Sequence, residues 1–132
     1  MLMLRSPHEA YRKVDFDARV AGATPQPLVA LCYEQLIGAL GSAQFAHERG
    51  DNRLKSQSLT RAMSALTALQ LGVSPEAAVG PALIQLYEAA RRTVLDSVLS
   101  FNPAALQTIR SDFIDIARAM SGQVHNSDQS LQ

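Results

Sequence analysis

Apolar residues recur at helical spacing along most of the chain, and the spacing divides it into four long amphipathic segments. The first covers 24–50 and reads TPQPLVALCYEQLIGALGSAQFAHERG. Thr24 can cap the first free amides, Pro25 suits the first helical position, and Gly50 supplies the left-handed residue that commonly closes a helix. At about 100° per residue, Leu28, Val29, Cys32, Tyr33, Leu36, Ile37, Ala39, Leu40 and Ala43 fall within an arc of roughly 180°. Glu34, Gly38, Gly41 and Glu48 lie opposite, and the arc is wide enough for two neighbouring helices. Leu31 and Phe45 fall outside it, on a flank adjoining the polar side.

The second segment starts at Asp51 or Asn52, either of which can cap it, and runs to about Leu71, where Gly72 stops it. Its stripe holds Leu54, Leu59, Ala62, Met63, Ala65, Leu66 and Leu69. A longer loop with Ser74-Pro75-Glu76 leads to a third helix from about Pro81 to Ser100, whose arc carries Leu83, Ile84, Tyr87, Val94, Leu95, Val98 and Leu99, interrupted by Arg91. Asn102-Pro103 is a cap followed by a first-position proline, and the fourth helix runs to about Met120, ending near Gly122, with Leu106, Ile109, Phe113, Ile116, Ala117 and Met120 inward.

Short connections make antiparallel neighbours, so the fold predicted is all-α: an antiparallel up-and-down four-helix bundle over residues 24–122. Residues 1–23 alternate weakly between apolar and charged and read as a mobile N-terminal arm with at most a short helix near 7–16. The polar stretch 123–132 reads as a disordered tail. Two readings of the arm stand side by side. Tyr11 is a surface residue of a loose arm, or Tyr11 and Val14 fold back over an apolar groove on the bundle.

Size and composition narrow the function. The 132 residues fit one domain with a useful core, and apolar volume comes mainly from Ala, Leu, Val and Ile, with no Trp. Twelve Lys+Arg balance twelve Asp+Glu, so the long-range attraction that a phosphate backbone or an anionic lipid surface rewards is missing, and no apolar run spans a bilayer. Neither nucleic acid nor membrane insertion is expected, and a cytoplasmic location follows. Cys32, the single cysteine, reads as a small buried hydrophobe.

Chemistry is not written into the chain. Neither Glu34, Glu48 nor Glu88 has a His three residues on, as a di-metal bundle site would need, and His8, His47 and His125 are scattered. There is no Gly-rich phosphate loop, nucleophile elbow or inward carboxylate pair. Catalytic residues, metal and cofactor are all expected to be absent. What remains is apolar surface. Besides Leu31 and Phe45, Leu71, Leu86 and Ile114 fall off the main stripes. Scattered singly, such residues need no explanation; joined into grooves, they would accept an amphipathic helix or a second copy of the chain.

The order and spacing of several features resemble the FliS-type flagellin export chaperones, small helical proteins of bacterial flagellar assembly. The carriers are Ala10-Tyr11 followed by Val14, then Val20, Ala23-Thr24-Pro25 and Leu28 leading into Leu31, Tyr33 and Leu36. Later come the alanine and leucine pattern over 62–69, Leu86-Tyr87 with arginines a turn beyond, and the cap at Asn102. Departures are Thr93-Val94 after Arg92, where the family often continues Arg-Arg-Leu, Ser97-Val98 in place of Ala-Asn, and Met120 where a Trp often stands. The resemblance implies a cytosolic chaperone without catalysis that binds the C-terminal helical segments of flagellin, prevents premature polymerisation and keeps the subunit competent for flagellar type III secretion. It also implies contact with a component of the export gate, and a Tyr11-bearing arm that covers part of the binding surface until the client displaces it. The competing reading from the residues alone is a self-associating structural or regulatory helical bundle.

Overall fold

The computed structural model describes residues 7–21, 27–74 and 76–130, with side chains described for 7–15, 27–74 and 76–120. Five helices follow one another, α1 (Pro7–Ala21), α2 (Pro27–Glu48), α3 (Asn52–Leu71), α4 (Gly80–Leu99) and α5 (Pro103–Ser130), and no strand occurs among the described residues.

Local chemistry sets the boundaries where the chain turns. Gly50 adopts φ +70°, which a residue with a Cβ rarely tolerates. The Gly50 N–H donates to the His47 carbonyl at 3.1 Å and the Asp51 N–H to the Ala46 carbonyl at 2.8 Å, closing α2 in a Schellman arrangement. Asp51 then opens α3, its Oδ1 accepting from the Leu54 N–H at 3.0 Å. Asn102 does the same for α5, its Oδ1 accepting from the Ala105 N–H at 3.1 Å, with Pro103 at the first helical position. The expected start of α2 at Thr24-Pro25 lies outside the described residues.

The long helices alternate in direction around a common core. Ser42 and Ser58, equidistant from the α2–α3 turn, meet with the Ser58 hydroxyl donating at 2.8 Å. The Gln44 amide donates to the Pro103 carbonyl and Arg110 Nε to the Ile37 carbonyl, each at 3.1 Å, so α2 and α5 are antiparallel as well. A methyl group at Gly41 would stand 3.0 Å from Arg110 Nε, so this glycine makes room for the guanidinium. Gly41, which the sequence places opposite the apolar arc, thus sits on a side of α2 that receives α5.

Three aromatic rings join α2, α4 and α5 at the centre. Tyr33 and Tyr87 share a hydrogen bond of 2.8 Å between hydroxyls, and both rings pack against Phe113 at centroid distances of 5.5 and 6.0 Å. All three are buried, and each phenol has the other as its polar partner, which removes the cost of two unsatisfied hydroxyls.

Three sequence expectations need correction. The N-terminal segment is a helix to Ala21 rather than to about residue 16, and it is docked: Ala10 and Val14, four residues apart, are fully buried. α4 is turned about its axis relative to the arc read from its large apolar residues. Tyr87 and Val94 face inward, but so do Ala82, Leu86, Ala90 and Ser97, while Leu95, Val98 and Leu99 face out. Small residues at 82, 90 and 97 let neighbouring backbones approach, and a pattern weighted by bulk overlooks them. Lastly, α5 does not stop near Gly122; it continues to Ser130, into the stretch read as a disordered tail. No proline follows Pro103, and a single interior glycine costs a helix only about 1 kcal/mol.

Candidate functional site

α4 and α5 barely touch each other, and α1 lies in the seam between them, packed on both. The Tyr11 hydroxyl donates to Asp115 Oδ2 at 3.1 Å, and His8 stacks on the Tyr11 ring while lying close to Asp112. Burial pushes the Tyr11 phenol up to about 12, helped by the Asp115 hydrogen bond and the charges of Asp115, Asp15 and Asp112. Asp112 is also raised, first by burial and then by Asp115, with His8 pulling the other way. Of the two readings of the arm, the structure shows the second. Val14 is core, and Tyr11 is half-buried and bonded across the seam.

On the opposite side of α5, a trough of about 530 Å³ runs between α2 and α5. Ala30, Gly38 and Ala117 keep it open by being small; Tyr33, Ile37 and Met120 make it apolar, and Glu34 adds a single carboxylate. A Cβ at Gly38 would meet nothing, consistent with a floor that faces empty space. Leu31 and Phe45 stand on the outer face of α2, 49% and 54% exposed. Fourteen residues is four turns less about 40°, so the two share a face with Gly38 midway, separated by about 21 Å. Leu31 flanks the α2 residues that line the trough, while Phe45 lies two turns beyond Gly38, and neither is part of the lining itself. The Arg49 guanidinium sits 5.3 Å from the Phe45 centroid and shields that ring only in part.

The remaining sequence candidates separate. Leu71 is 83% exposed at the end of α3, on an element that does not line the trough. Leu86 was expected outside the α4 stripe as partner-facing surface; it is corrected to a core residue, 4% exposed. Ile114 is half-buried on α5. The trough floor at Ala30 and Gly38 escapes the sequence because small residues carry almost no periodic hydrophobic signal; Tyr33, Ile37, Ala117 and Met120 are recognised there, but as core. Leu28, Leu95, Val98 and Leu99 were read as core and are exposed.

Among the described residues, no group of three or more His, Cys, Asp or Glu side chains could hold a metal ion, and no helix is long and apolar enough to cross a membrane. Cys32 is half-buried with a free thiol. What the geometry offers is a seam between α4 and α5 filled by α1 and an open, largely apolar trough between α2 and α5.

Comparison with curated proteins finds no match. A family profile described as "Flagellar protein FliS" matches residues 7–124, which takes in α1, the whole of α2 to α4 and most of α5. On that match, and with the all-helical architecture it covers, the chain belongs to the FliS family of flagellar chaperones.

Proposed function

We propose that this protein is a cytoplasmic export chaperone that binds the C-terminal helical segments of flagellin, holding them apart from premature polymerisation and fit for flagellar type III secretion. The observation that carries the reading is the open trough between α2 and α5, on a helix that also exposes Leu31 and Phe45 to solvent. An amphipathic helix laid there would bury its apolar face at roughly 25 cal/mol per Å². The flagellin tail is disordered when free, so part of that gain offsets an ordering cost of about 2–5 kcal/mol, and a long wrapped contact is required.

α1 supplies a second seat. It is a helix already held in an apolar seam, and its release would expose the α4 and α5 walls to the client. Client and α1 then compete, and apparent affinity falls by the fraction of molecules in which the seam is covered. A component of the export gate would receive the loaded complex.

Calorimetric titration with the C-terminal segment of the cognate flagellin is expected to give one-to-one binding; absence of heat at micromolar concentration sinks the proposal. Leu31→Asp and Phe45→Asp are expected to weaken binding at least tenfold with the melting temperature nearly unchanged, since both side chains are half in water already. A second reading, self-association, is favoured by Leu95, Val98 and Leu99 clustered on the outer side of α4, away from the trough. Light scattering separates the two: a dimer that persists with saturating flagellin segment supports self-association through that face.

A further inference from the structure

The groove between α2 and α5 continues past the point where its apolar lining stops. Along α2 the lining runs from Ala30 to Gly38, and along antiparallel α5 from Met120 back to Ala117. The next positions along the same groove are Gly41, one turn past Gly38, and Arg110, two turns before Ala117 on the same face of α5. Arg110 Nε donates to the carbonyl of Ile37, itself a lining residue, at 3.1 Å. The guanidinium has room there because Gly41 carries no side chain. A cation is thereby fixed against one end of a largely apolar trough. It is half-buried and only part satisfied. The Nε bond leaves both terminal amino groups, and among the described residues no carboxylate pairs with Arg110. Water serves those groups while the trough is open. A helix laid over them removes that water, and a covered cation without an acceptor is costly. The charge within the lining has the other sign: Glu34, two turns before Gly41 on the same side of α2, repels a carboxylate.

We propose that Arg110 determines which helix the trough accepts: an amphipathic one that brings a carboxylate, from an Asp or Glu side chain or from its own chain terminus, to the Gly41 end. The inference rests on reading the trough as the client seat and adds the chemistry that seat requires. A carboxylate there receives charge-assisted hydrogen bonds, roughly twice as strong as neutral ones, from amino groups already aimed by the Ile37 bond and the Gly41 gap. Because the guanidinium is held before the partner arrives, little side-chain freedom is lost on binding. A helix with only apolar groups at that end leaves the cation unpaired, so Arg110 rejects as well as selects.

The test titrates the flagellin C-terminal segment into the full unsubstituted chain and into Arg110→Gln. The segment is used as it stands, with each carboxylate neutralised in turn (Asp→Asn, Glu→Gln), and with its end amidated. Arg110→Gln is expected to weaken the native segment roughly tenfold, and one of the neutralised segments is expected to bind both chains alike. If that segment is the amidated one, the carboxylate is the chain terminus; otherwise it is the substituted side chain. Native binding unchanged by Arg110→Gln overturns the proposal. So does an equal loss for every segment, which is what removal of a mere strut between α2 and α5 would give. Should Arg110→Gln melt well below its parent, the unsubstituted chain decides alone, and equal affinity for the native and all neutralised segments overturns the proposal. A segment that binds neither chain sinks the flagellin reading above. Two leucine- and alanine-rich helical peptides differing by one Glu or Gln then decide what the trough prefers: tighter binding of the Glu peptide, lost in Arg110→Gln, supports the proposal, and equal binding overturns it.

Discussion

Tyr11 and Asp112 show how much one side chain can decide at an interface between elements. Tyr11→Phe keeps the ring against His8 and deletes only the hydroxyl that Asp115 accepts. The expected cost is about 1 kcal/mol, seen as roughly fivefold faster exchange of α1 amides with little change in α2 and α3. Uniform acceleration across the chain would show instead that α1 is part of the global folding unit. Asp112 makes a prediction in pH. Its folded value lies above its unfolded one, so its contribution is fully present below the ordinary carboxylate value and is lost as pH rises through the raised value. On this account the fold is held more firmly below the ordinary carboxylate value than at neutral pH, and Asp112→Asn should flatten that dependence. Exchange measured across the range, corrected for intrinsic rates, checks both the sign and the residue.

At the scale of elements, what was legible follows from where each signal resides. Caps and closers are local, so Gly50, Asp51, Asn102 and Pro103 mark the α2–α3 and α4–α5 turns in the sequence as they do in the structure. Asp51→Ala is expected to cost α3 about 1 kcal/mol and lower the melting temperature by a few degrees, with the Leu54 amide losing its partner. The faces of α1 and α4 depend on their neighbours, and there the sequence misleads. α1 has only Ala10 and Val14 to bury among its described side chains, too little to read as a packed helix until the seam that receives them is known. α4 carries a strong apolar arc, yet the side placed inward is the one whose Ala82, Ala90 and Ser97 permit close approach. Leu86→Ala should therefore destabilise by about 2–5 kcal/mol as a core truncation, whereas Leu99→Ala should change stability by less than about 0.5 kcal/mol. The candidate site was half legible for the same reason: Leu31 and Phe45 announce themselves by standing off the stripe, but a trough is defined by what is missing, at Ala30 and Gly38, and Ala117 on its other wall reads in the sequence as core.

Across the whole molecule, the tyrosines report how the bundle is tied together. The chain has three, and each is pushed above the ordinary phenol value: Tyr33 well above it, chiefly by burial, Tyr87 to about 12 by burial, opposed by its bond from Tyr33, and Tyr11 to about 12 by burial and Asp115. For each, the neutral form is favoured in the folded chain, so the stabilisation is complete below the unfolded value of 10 and drains away as pH rises through the folded value. Ionising Tyr33 or Tyr87 places a charge between α2, α4 and α5, whereas ionising Tyr11 places one only between α1 and α5. An alkaline titration followed by phenolate absorbance and by helical circular dichroism should thus show almost no phenolate at pH 10, where the denatured chain is half ionised. Above that, the Tyr11 and Tyr87 phenolates are expected near pH 12 and that of Tyr33 only beyond them, with loss of the bundle as Tyr33 ionises. Tyr11→Phe should remove one of the first two phenolates with little change in helix. Phenolate from two residues near pH 10 with the helical signal intact would mean that the central aromatic contact does not hold the helices together.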